Sequence, residues 1–177
     1  MFAGYGPITQ LGYVVSDIAK AMQDWSSRLR IGPWFYRERL PLDHYRFRGV
    51  DHVPARFHMS YALANSGDMQ IELIQQRCDT PSVYLEFLER HGEGLQHLCV
   101  WPSDYDGTVA KACASGLELI QEGRFGPIRF CYFGDAGHAG TCLEVSEMVE
   151  MRRPLIEAIR DAAAIWDGSD PVRNYPA

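Results

Sequence analysis

The chain has 177 residues, enough for one domain or two small paired modules and too few for a multidomain protein. Its 46% hydrophobic, 23% charged and 12% aromatic residues are typical of a globular protein and exclude collagen, a coiled coil or general disorder. The formal net charge of -6 argues against a nucleic-acid partner.

The five cysteines are odd in number and form no CxxC pair, which predicts free thiols in a reducing compartment rather than a disulfide framework or a zinc site. The first residues lack the basic and apolar regions of a secretory signal, and no apolar run approaches the roughly 20 residues that span a bilayer. We therefore predict a cytoplasmic protein with no membrane partner.

The main feature of the sequence is a duplicated pattern, in which an apolar strand is followed by an amphipathic helix and then by three more strands. The first copy begins with a strand at Ile8–Val15. A helix follows, with Ser16 or Asp17 as its N-terminal cap and Gly32 at its C-terminal end. Its three further strands, predicted from apolar alternation with a period of two, are Trp34–Arg39, Ala55–Leu63 and Met69–Gln75.

A linking helix is predicted at Ser82–Arg90, before the second copy. That copy begins with a strand at Leu95–Trp101 and a helix that runs from a cap at Ser103 or Asp104 to Gly116. Its three further strands are predicted at Leu117–Gly123, Pro127–Asp135 and Gly140–Met148. A final amphipathic helix at about 150–166 presents Leu155, Ile159, Ala162 and Ala163 on one face, and an irregular tail follows it.

The two copies predict an α+β fold in a single domain of residues 1–177. Module one covers about 8–76, module two about 94–148, and the C-terminal helix about 150–166. In the first and last strands of each module, most polar residues share one face, while the other face is apolar and would pack against a helix. The paired βαβββ modules are therefore expected to curve around a partly polar cavity.

Four polar residues occupy matching positions in the two copies: Gln10 and His97 in the first strands, and Glu72 and Glu144 in the last strands. Pseudo-twofold pairing of the modules would bring them together. A carboxylate in an apolar strand is costly unless it is paired or binds a metal, and two converging carboxylates repel without a cation. The set predicts a site for Zn, Ni, Co, Mn or Mg, with ordinary hydrogen-bonded core residues as the alternative.

This layout resembles the vicinal oxygen chelate superfamily, which contains glyoxalase I, methylmalonyl-CoA epimerase and the extradiol dioxygenases. The resemblance covers about Ile8 to Met148 and rests on ITQLGYVVSDIAKAMQDW, IGPWF, MQIELI, GEGLQHLCVW and GTCLEV in that order. It implies that the paired modules form the cavity and that Gln10, Glu72, His97 and Glu144 hold a divalent metal. Epimerase-like members usually have histidine where Gln10 stands, whereas glyoxalase I of the eukaryotic type has Gln, Glu, His and Glu.

The resemblance implies an isomerase or epimerase, or a lyase, that removes a proton alpha to a carbonyl of an anionic substrate with vicinal oxygens. Glu144 is the predicted base and Glu72 its substitute. Epimerisation needs a second acid, and because no glutamate lies between Arg39 and Glu72, His58 is the candidate. A metal-free binding protein of the same fold is the alternative function. An extradiol dioxygenase ranks third, because Gln10 replaces one histidine of its iron-binding triad.

Alternation in the predicted strand Ala55–Leu63 directs Arg56, His58 and Ser60 toward the cavity, and Trp101 shares a strand face with His97. Arg56, Ser60 and Trp101 are therefore the predicted substrate-binding residues. The stretch from residue 28 to residue 56 contains seven arginines and three acidic residues, which gives it a local charge of +4. This charge favours an acyl-CoA or an organic acid as substrate, the nearby aromatic residues favour a ring compound, and the sequence leaves a homodimer open.

Overall fold

The structure is a computed structural model that describes residues 4–134 and 140–175. Its strands are β1 (Ile8–Val14), β2 (Trp34–Arg37), β3 (His44–Phe47), β4 (Val50–Asp51), β5 (Met59–Ser66), β6 (Met69–Gln76), β7 (Gly94–Val100), β8 (Leu119–Phe125), β9 (Ile128–Phe133), β10 (Cys142–Ser146) and β11 (Val172–Asn174). Its α-helices are α1 (Ile18–Asp24), α2 (Val83–His91), α3 (Tyr105–Ala114) and α4 (Arg153–Ala164). Within the described residues, no helix has the length and apolar character needed to cross a membrane.

The two copies of the sequence pattern form two halves of one mixed sheet, in the order β11-β2-β5-β6-β1-β7-β10-β9-β8-β3-β4. In each half the first strand pairs in parallel with the last, β1 with β6 and β7 with β10. The halves join through β1 and β7, which are antiparallel. The α+β fold and the duplication are therefore confirmed, together with the C-terminal helix.

Alternating side chains separate a helix-covered face of the sheet from a cavity face, as the sequence predicts. Leu11 and Tyr13 of β1 pack with Ile71 and Leu73 of β6 against Ile18 of α1. In the second half, the corresponding apolar residues of β7, β9 and β10 pack against α3. Because successive side chains point to opposite faces, the polar residues of the same strands lie on the cavity side.

The starts of α1, α2 and α3 follow the expected capping chemistry. At the start of α1, the Asp17 carboxylate accepts a hydrogen bond from the backbone N–H of Lys20. At the start of α3, the Asp104 carboxylate accepts one from the backbone N–H of Gly107. Ser82 caps α2 in the same way. These side chains satisfy backbone donors that would otherwise lack a partner in the first helical turn.

The structure corrects the predicted strand Ala55–Leu63, because β5 begins only at Met59. The preceding Pro54–Arg56 forms a short 3₁₀ turn with proline at its start, where the fixed φ of proline suits a helical turn. The predicted strand Pro127–Asp135 is β9, although its last residue, Asp135, lies outside the described residues.

Two further corrections concern the ends of the sheet. The β3–β4 hairpin, which the sequence did not indicate, leaves the first half and pairs with β8 of the second half. The tail is not wholly irregular, because β11 pairs in parallel with β2 at the opposite edge. Each edge of the sheet is therefore completed by strands that are not part of the repeated βαβββ pattern.

The C-terminal helix α4 lies on the cavity side of the sheet, against β5. Its predicted apolar face is confirmed: Ile159 is fully buried, and Leu155 and Ala162 pack with it into the largest apolar cluster. A 3₁₀ turn, Glu150–Arg152, precedes the helix and directs the chain from β10 onto the cavity. The helix thus contributes to the cavity wall as well as to the core.

We expect Ile159→Ala to lower the free energy of unfolding by about 2–5 kcal/mol, because it removes a fully buried side chain and leaves a void. Ile165→Ala is the matched control, since Ile165 is 86% exposed just after α4, and its effect should stay within about 0.5 kcal/mol. Urea unfolding followed by circular dichroism measures both values. Equal effects of the two substitutions would mean that α4 is not packed against the sheet.

Candidate metal centre

His97 occupies the junction between the two halves of the sheet. It lies on β7 directly opposite Gly12 of β1, and Gly12 is in turn opposite Glu72 of β6. A Cβ atom at residue 12 would lie 1.7 Å from Cε1 of His97, so the imidazole ring lies over the glycine. Because residue 12 has no side chain, the ring crosses β1 and approaches the carboxylate of the first module.

Two carboxylates from different modules converge on the same imidazole nitrogen. His97 Nε2 lies 3.0 Å from Glu144 Oε2 and 3.4 Å from Glu72 Oε2. One ligand atom from each of these three residues lies within 4.8 Å of the others. The His97 side chain is fully buried, and the Glu72 and Glu144 side chains are 13% and 8% exposed. The structure therefore brings together three of the four residues predicted as metal ligands.

Neighbouring side chains orient the three residues. Gln96 Oε1 can only accept a hydrogen bond, so the 2.9 Å contact is donated by the N–H at His97 Nδ1, and Nε2 faces the carboxylates. Tyr132 donates its hydroxyl proton to Glu144 Oε2 at 3.1 Å, and Tyr84 donates to the Tyr132 hydroxyl at 2.8 Å. Such outer contacts fix the tautomer and rotamer of metal ligands in other proteins.

The three side chains strongly perturb one another's protonation. Burial lowers the pKa of His97, but the two carboxylates of Glu144 and Glu72 next to its ring outweigh burial and raise the pKa to about 9. Burial raises the pKa of Glu72. For Glu144, the nearby imidazole of His97 and the charge of Arg152 outweigh burial and lower the pKa. Without a cation, the imidazolium is the positive charge that compensates the buried carboxylates.

The donor set fits a divalent metal. His97 Nε2 is buried and, among residues 4–134 and 140–175, has no partner that meets hydrogen-bond geometry, despite its two near carboxylate oxygens. An imidazole nitrogen and two carboxylate oxygens are ligands that Zn, Ni, Co and Mn accept, and Mg accepts the oxygens. Glu72, His97 and Glu144 could therefore hold such an ion.

Gln10, the fourth predicted ligand, is buried and lines the same cavity as Glu72 and Glu144. Its amide nitrogen donates to Gln70 Oε1 at 2.8 Å. Within the described part of the chain, no hydrogen bond uses Gln10 Oε1. The amide oxygen is thus available as a ligand, and the predicted role of Gln10 remains a prediction.

The prediction that Arg56, His58 and Ser60 face the cavity is wrong. Arg56 is exposed in the 3₁₀ turn, and Ser60 is bonded to the backbone oxygen of Glu38. His58 also contacts Glu38, through its ring nitrogen. Pairing of β5 with β6 explains the error, because Leu63 is opposite Glu72 and the odd-numbered residues Met59, Tyr61 and Leu63 therefore line the cavity.

Trp101 is likewise not among the residues that line the cavity. It follows the end of β7, and its ring lies under the guanidinium of Arg152, whose Cζ is 4.9 Å from the ring centroid. Trp101 therefore supports a cavity residue instead of facing the cavity itself.

A cavity of about 650 Å³ opens beside Glu72 and Glu144. Its walls come from both modules and from the C-terminal segment, which supplies Arg152, Leu155, Ile159 and Tyr175 among others. Sequence reasoning missed Arg152 and Tyr132 as residues of this site. Tyr132 lies two residues after Phe130 on the same strand, so alternation could have placed both side chains on one face. Arg152 lies three and seven residues before Leu155 and Ile159, so helical spacing could have placed it on their side of the chain.

The paired modules and their buried Glu/His/Glu centre define a class of proteins built from two βαβββ units around a shared site. Residues 9–132 match the Glyoxalase/Bleomycin resistance protein/Dioxygenase superfamily, and the chain belongs to that superfamily. Glu144 lies beyond the matched residues. No curated protein matches the chain.

Solved structures of the same fold include methylmalonyl-CoA epimerase from Mycobacterium tuberculosis. It is 22% identical, has a TM-score of 0.54, and the match covers 82% of this chain and 89% of the epimerase. A hypothetical protein from Bacillus halodurans is 15% identical, with a TM-score of 0.56 and coverage of 81% and 95%. A variant of the methylmalonyl-CoA epimerase of Streptomyces coelicolor, in complex with 2-nitronate-propionyl-CoA, is 15% identical, with a TM-score of 0.52 and coverage of 80% and 96%. At these identities the likeness establishes the fold.

Gly12→Ala should lower the free energy of unfolding by about 1–3 kcal/mol, because the new methyl group overlaps the buried His97 ring. In the His97→Ala background the same substitution should cost much less, since the ring is gone. Chemical denaturation of the two single variants and the double variant measures this coupling. Strictly additive effects would show that the ring does not lie over Gly12.

Proposed function

We propose that this chain is a divalent-metal-dependent isomerase or epimerase, or a lyase, that removes a proton alpha to a carbonyl group. The observation that carries the proposal is the meeting of Glu72, His97 and Glu144 at the wall of the cavity. Two largely buried carboxylates at one place are costly unless a positive charge or a metal compensates them. Membership of the superfamily is compatible with this chemistry without specifying it.

Glu144 is the proposed base. Its side chain lines the cavity, and the hydrogen bond from Tyr132 to Oε2 holds the carboxylate in position. A carboxylate in this position can remove a proton from a substrate carbon in the cavity. A bound divalent ion, held by Glu72, His97, Glu144 and Gln10, would supply Lewis-acid polarisation of the carbonyl oxygen.

Epimerisation also requires a group that returns a proton to the opposite face of the substrate. Because His58 lies outside the cavity, we assign this role to Glu72, which lines the cavity from the other module. Glu72 and Glu144 approach the imidazole from β6 and β10, two strands that lie on opposite sides of the β1–β7 pair. A substrate bound at this wall of the cavity would have a carboxylate available from each module.

Two substrate classes remain within this proposal. The epimerase structures with 2-nitronate-propionyl-CoA support an acyl-CoA. The size and apolar lining of the cavity support a free organic acid with an apolar or aromatic body.

A metal-free binding protein of the same fold is the second candidate. The observation in its favour is the 3.0 Å contact between His97 Nε2 and Glu144 Oε2, since an imidazolium can balance the carboxylates without a metal. In that case the cavity would bind a small apolar molecule and the protein would catalyse no proton exchange.

Elemental analysis separates the two candidates. Protein from metal-replete growth should contain about one divalent ion per chain, and His97→Ala should lose it because the imidazole ligand of the Glu72/His97/Glu144 centre is removed. His58→Ala is the matched control and should retain the ion, since His58 contacts Glu38 outside the cavity. Absence of metal from the unsubstituted protein would favour the binding protein.

Proton exchange in deuterated water tests the chemistry. The metal-loaded protein should remove a C–H signal from one class among 2-oxo acids, acyl-CoA thioesters and hydroxy ketones, as followed by proton NMR. Glu144→Gln should slow this exchange by about 10²–10⁴-fold, the usual contribution of a general base. Glu147→Gln, which alters a neighbouring glutamate bound to Arg129, should leave exchange unchanged. Full exchange by Glu144→Gln would remove Glu144 as the base.

A further inference from the structure

Two arginines, Arg37 and Arg152, line the cavity without an acidic partner. Both are half-buried. Among residues 4–134 and 140–175, no carboxylate lies within ion-pair distance of either one. Arg48 and Arg129, in contrast, each bind two acidic side chains outside the cavity. The positive charges in the cavity are therefore available to a ligand.

Aromatic rings hold the two guanidinium groups without neutralising them. The Cζ atom of Arg37 lies 4.5 Å from the ring centroid of Tyr175, and that of Arg152 lies 4.9 Å from the ring centroid of Trp101. Stacking on an aromatic face suits the planar guanidinium and orients it. Arg37 comes from β2, whereas Arg152 comes from the turn before α4, so two distant segments place positive charge in one cavity.

The hydrogen bonds of Arg152 do not pair its charge with a carboxylate, and Glu144 and Glu72 feel that charge only from beyond ion-pair distance. Its Nη1 donates to the hydroxyl of Ser146 at 2.8 Å and to the backbone oxygen of Glu147 at 3.3 Å. Both acceptors are neutral. These bonds fix the side chain through one nitrogen only, and the remaining donors of the fork are not used by the described residues.

The rest of the cavity is mainly apolar. Its walls include Met59, Leu63, Phe125, Phe130, Leu155 and Ile159. The charged lining residues are Arg37, Arg152, Glu72 and Glu144, whose charges cancel. A divalent ion at the carboxylates would leave a net charge of two positive units, which an anionic ligand would balance. An apolar cavity of this kind favours a ligand with an apolar body and a charged end.

We propose that Arg37 and Arg152 bind a carboxylate of the substrate, separate from the oxygens near Glu72 and Glu144, so that the substrate is an apolar organic acid. The guanidinium fork matches a carboxylate through paired hydrogen bonds. The carboxylate belongs either to a free acid or to the acyl group of a CoA thioester. The inference takes from the proposed function only that this cavity is the substrate site.

Binding to metal-free protein tests this assignment apart from the metal chemistry. The probe is 4-phenylbutyrate, and 4-phenylbutyramide is its neutral counterpart of nearly equal size. Isothermal titration calorimetry should show the carboxylate binding at least about tenfold more tightly than the amide, as expected for charge-assisted hydrogen bonds. Because the metal has been removed, the carboxylate cannot bind through an ion.

Arg37→Ala and Arg152→Ala should each weaken binding of the carboxylate about tenfold and leave binding of the amide unchanged. Arg152→Lys should restore only part of the affinity, because lysine keeps the charge but loses the fork. Arg56→Ala is the matched control, since it removes the same charge from an exposed arginine outside the cavity, and it should leave both affinities unchanged. Equal weakening by Arg56→Ala, or equal loss for carboxylate and amide, would overturn the assignment.

Competition distinguishes the two sources of the carboxylate. Methylmalonyl-CoA carries a free carboxylate and propionyl-CoA does not. Displacement of 4-phenylbutyrate by methylmalonyl-CoA alone would support a carboxylated acyl-CoA, and displacement by neither would support a free acid. Equal displacement by both thioesters would overturn the proposal, because recognition would then not involve the carboxylate. A failure of proton exchange would leave these binding results unaffected, so the two proposals fail separately.

Discussion

The structure depends on the antiparallel pairing of β1 with β7, which joins the two halves of the sheet. On either side of this pair, β6 and β10 run parallel to their partners, so each half brings one carboxylate toward the His97 ring: Glu72 from the row of His97 itself, and Glu144 from the row of Cys99 two residues farther along β7. Gly12 stands in the first of these rows, between Glu72 and His97. A side chain there would block the imidazole, so a single missing side chain lets residues from two modules share one site.

The same arrangement explains how the protein tolerates two carboxylates at a largely buried site. A buried charge is costly unless hydrogen bonds and an opposite charge compensate it. Glu144 receives a hydrogen bond from Tyr132, and His97 lies within ion-pair distance of both acids. The pKa of His97 is raised because the protonated imidazole is favoured where two carboxylates meet. A divalent metal would take over that role with a larger charge.

The sequence predicted the parts of the fold that depend on local periodicity. Alternation separated Leu11 and Tyr13 from Gln10, and the internal duplication correctly indicated that Glu72, His97 and Glu144 meet. The sequence-based prediction failed where strand pairing, and not local periodicity, decides the structure. The strand β5 starts only after a proline turn, and its register with β6 turns His58 away from the cavity. The β3–β4 hairpin depends on an edge of the other module, which no local pattern can reveal.

The superfamily match ends at residue 132, whereas part of the cavity wall comes from residues after it. Arg152, Leu155, Ile159 and Tyr175 reach the cavity because α4 and β11 return to the first half of the sheet. The repeated modules therefore position the Glu/His/Glu centre, and a segment outside the match shapes the cavity beside it. Relatives that share the centre but lack these residues need not share a substrate, because affinity follows the groups that line the cavity.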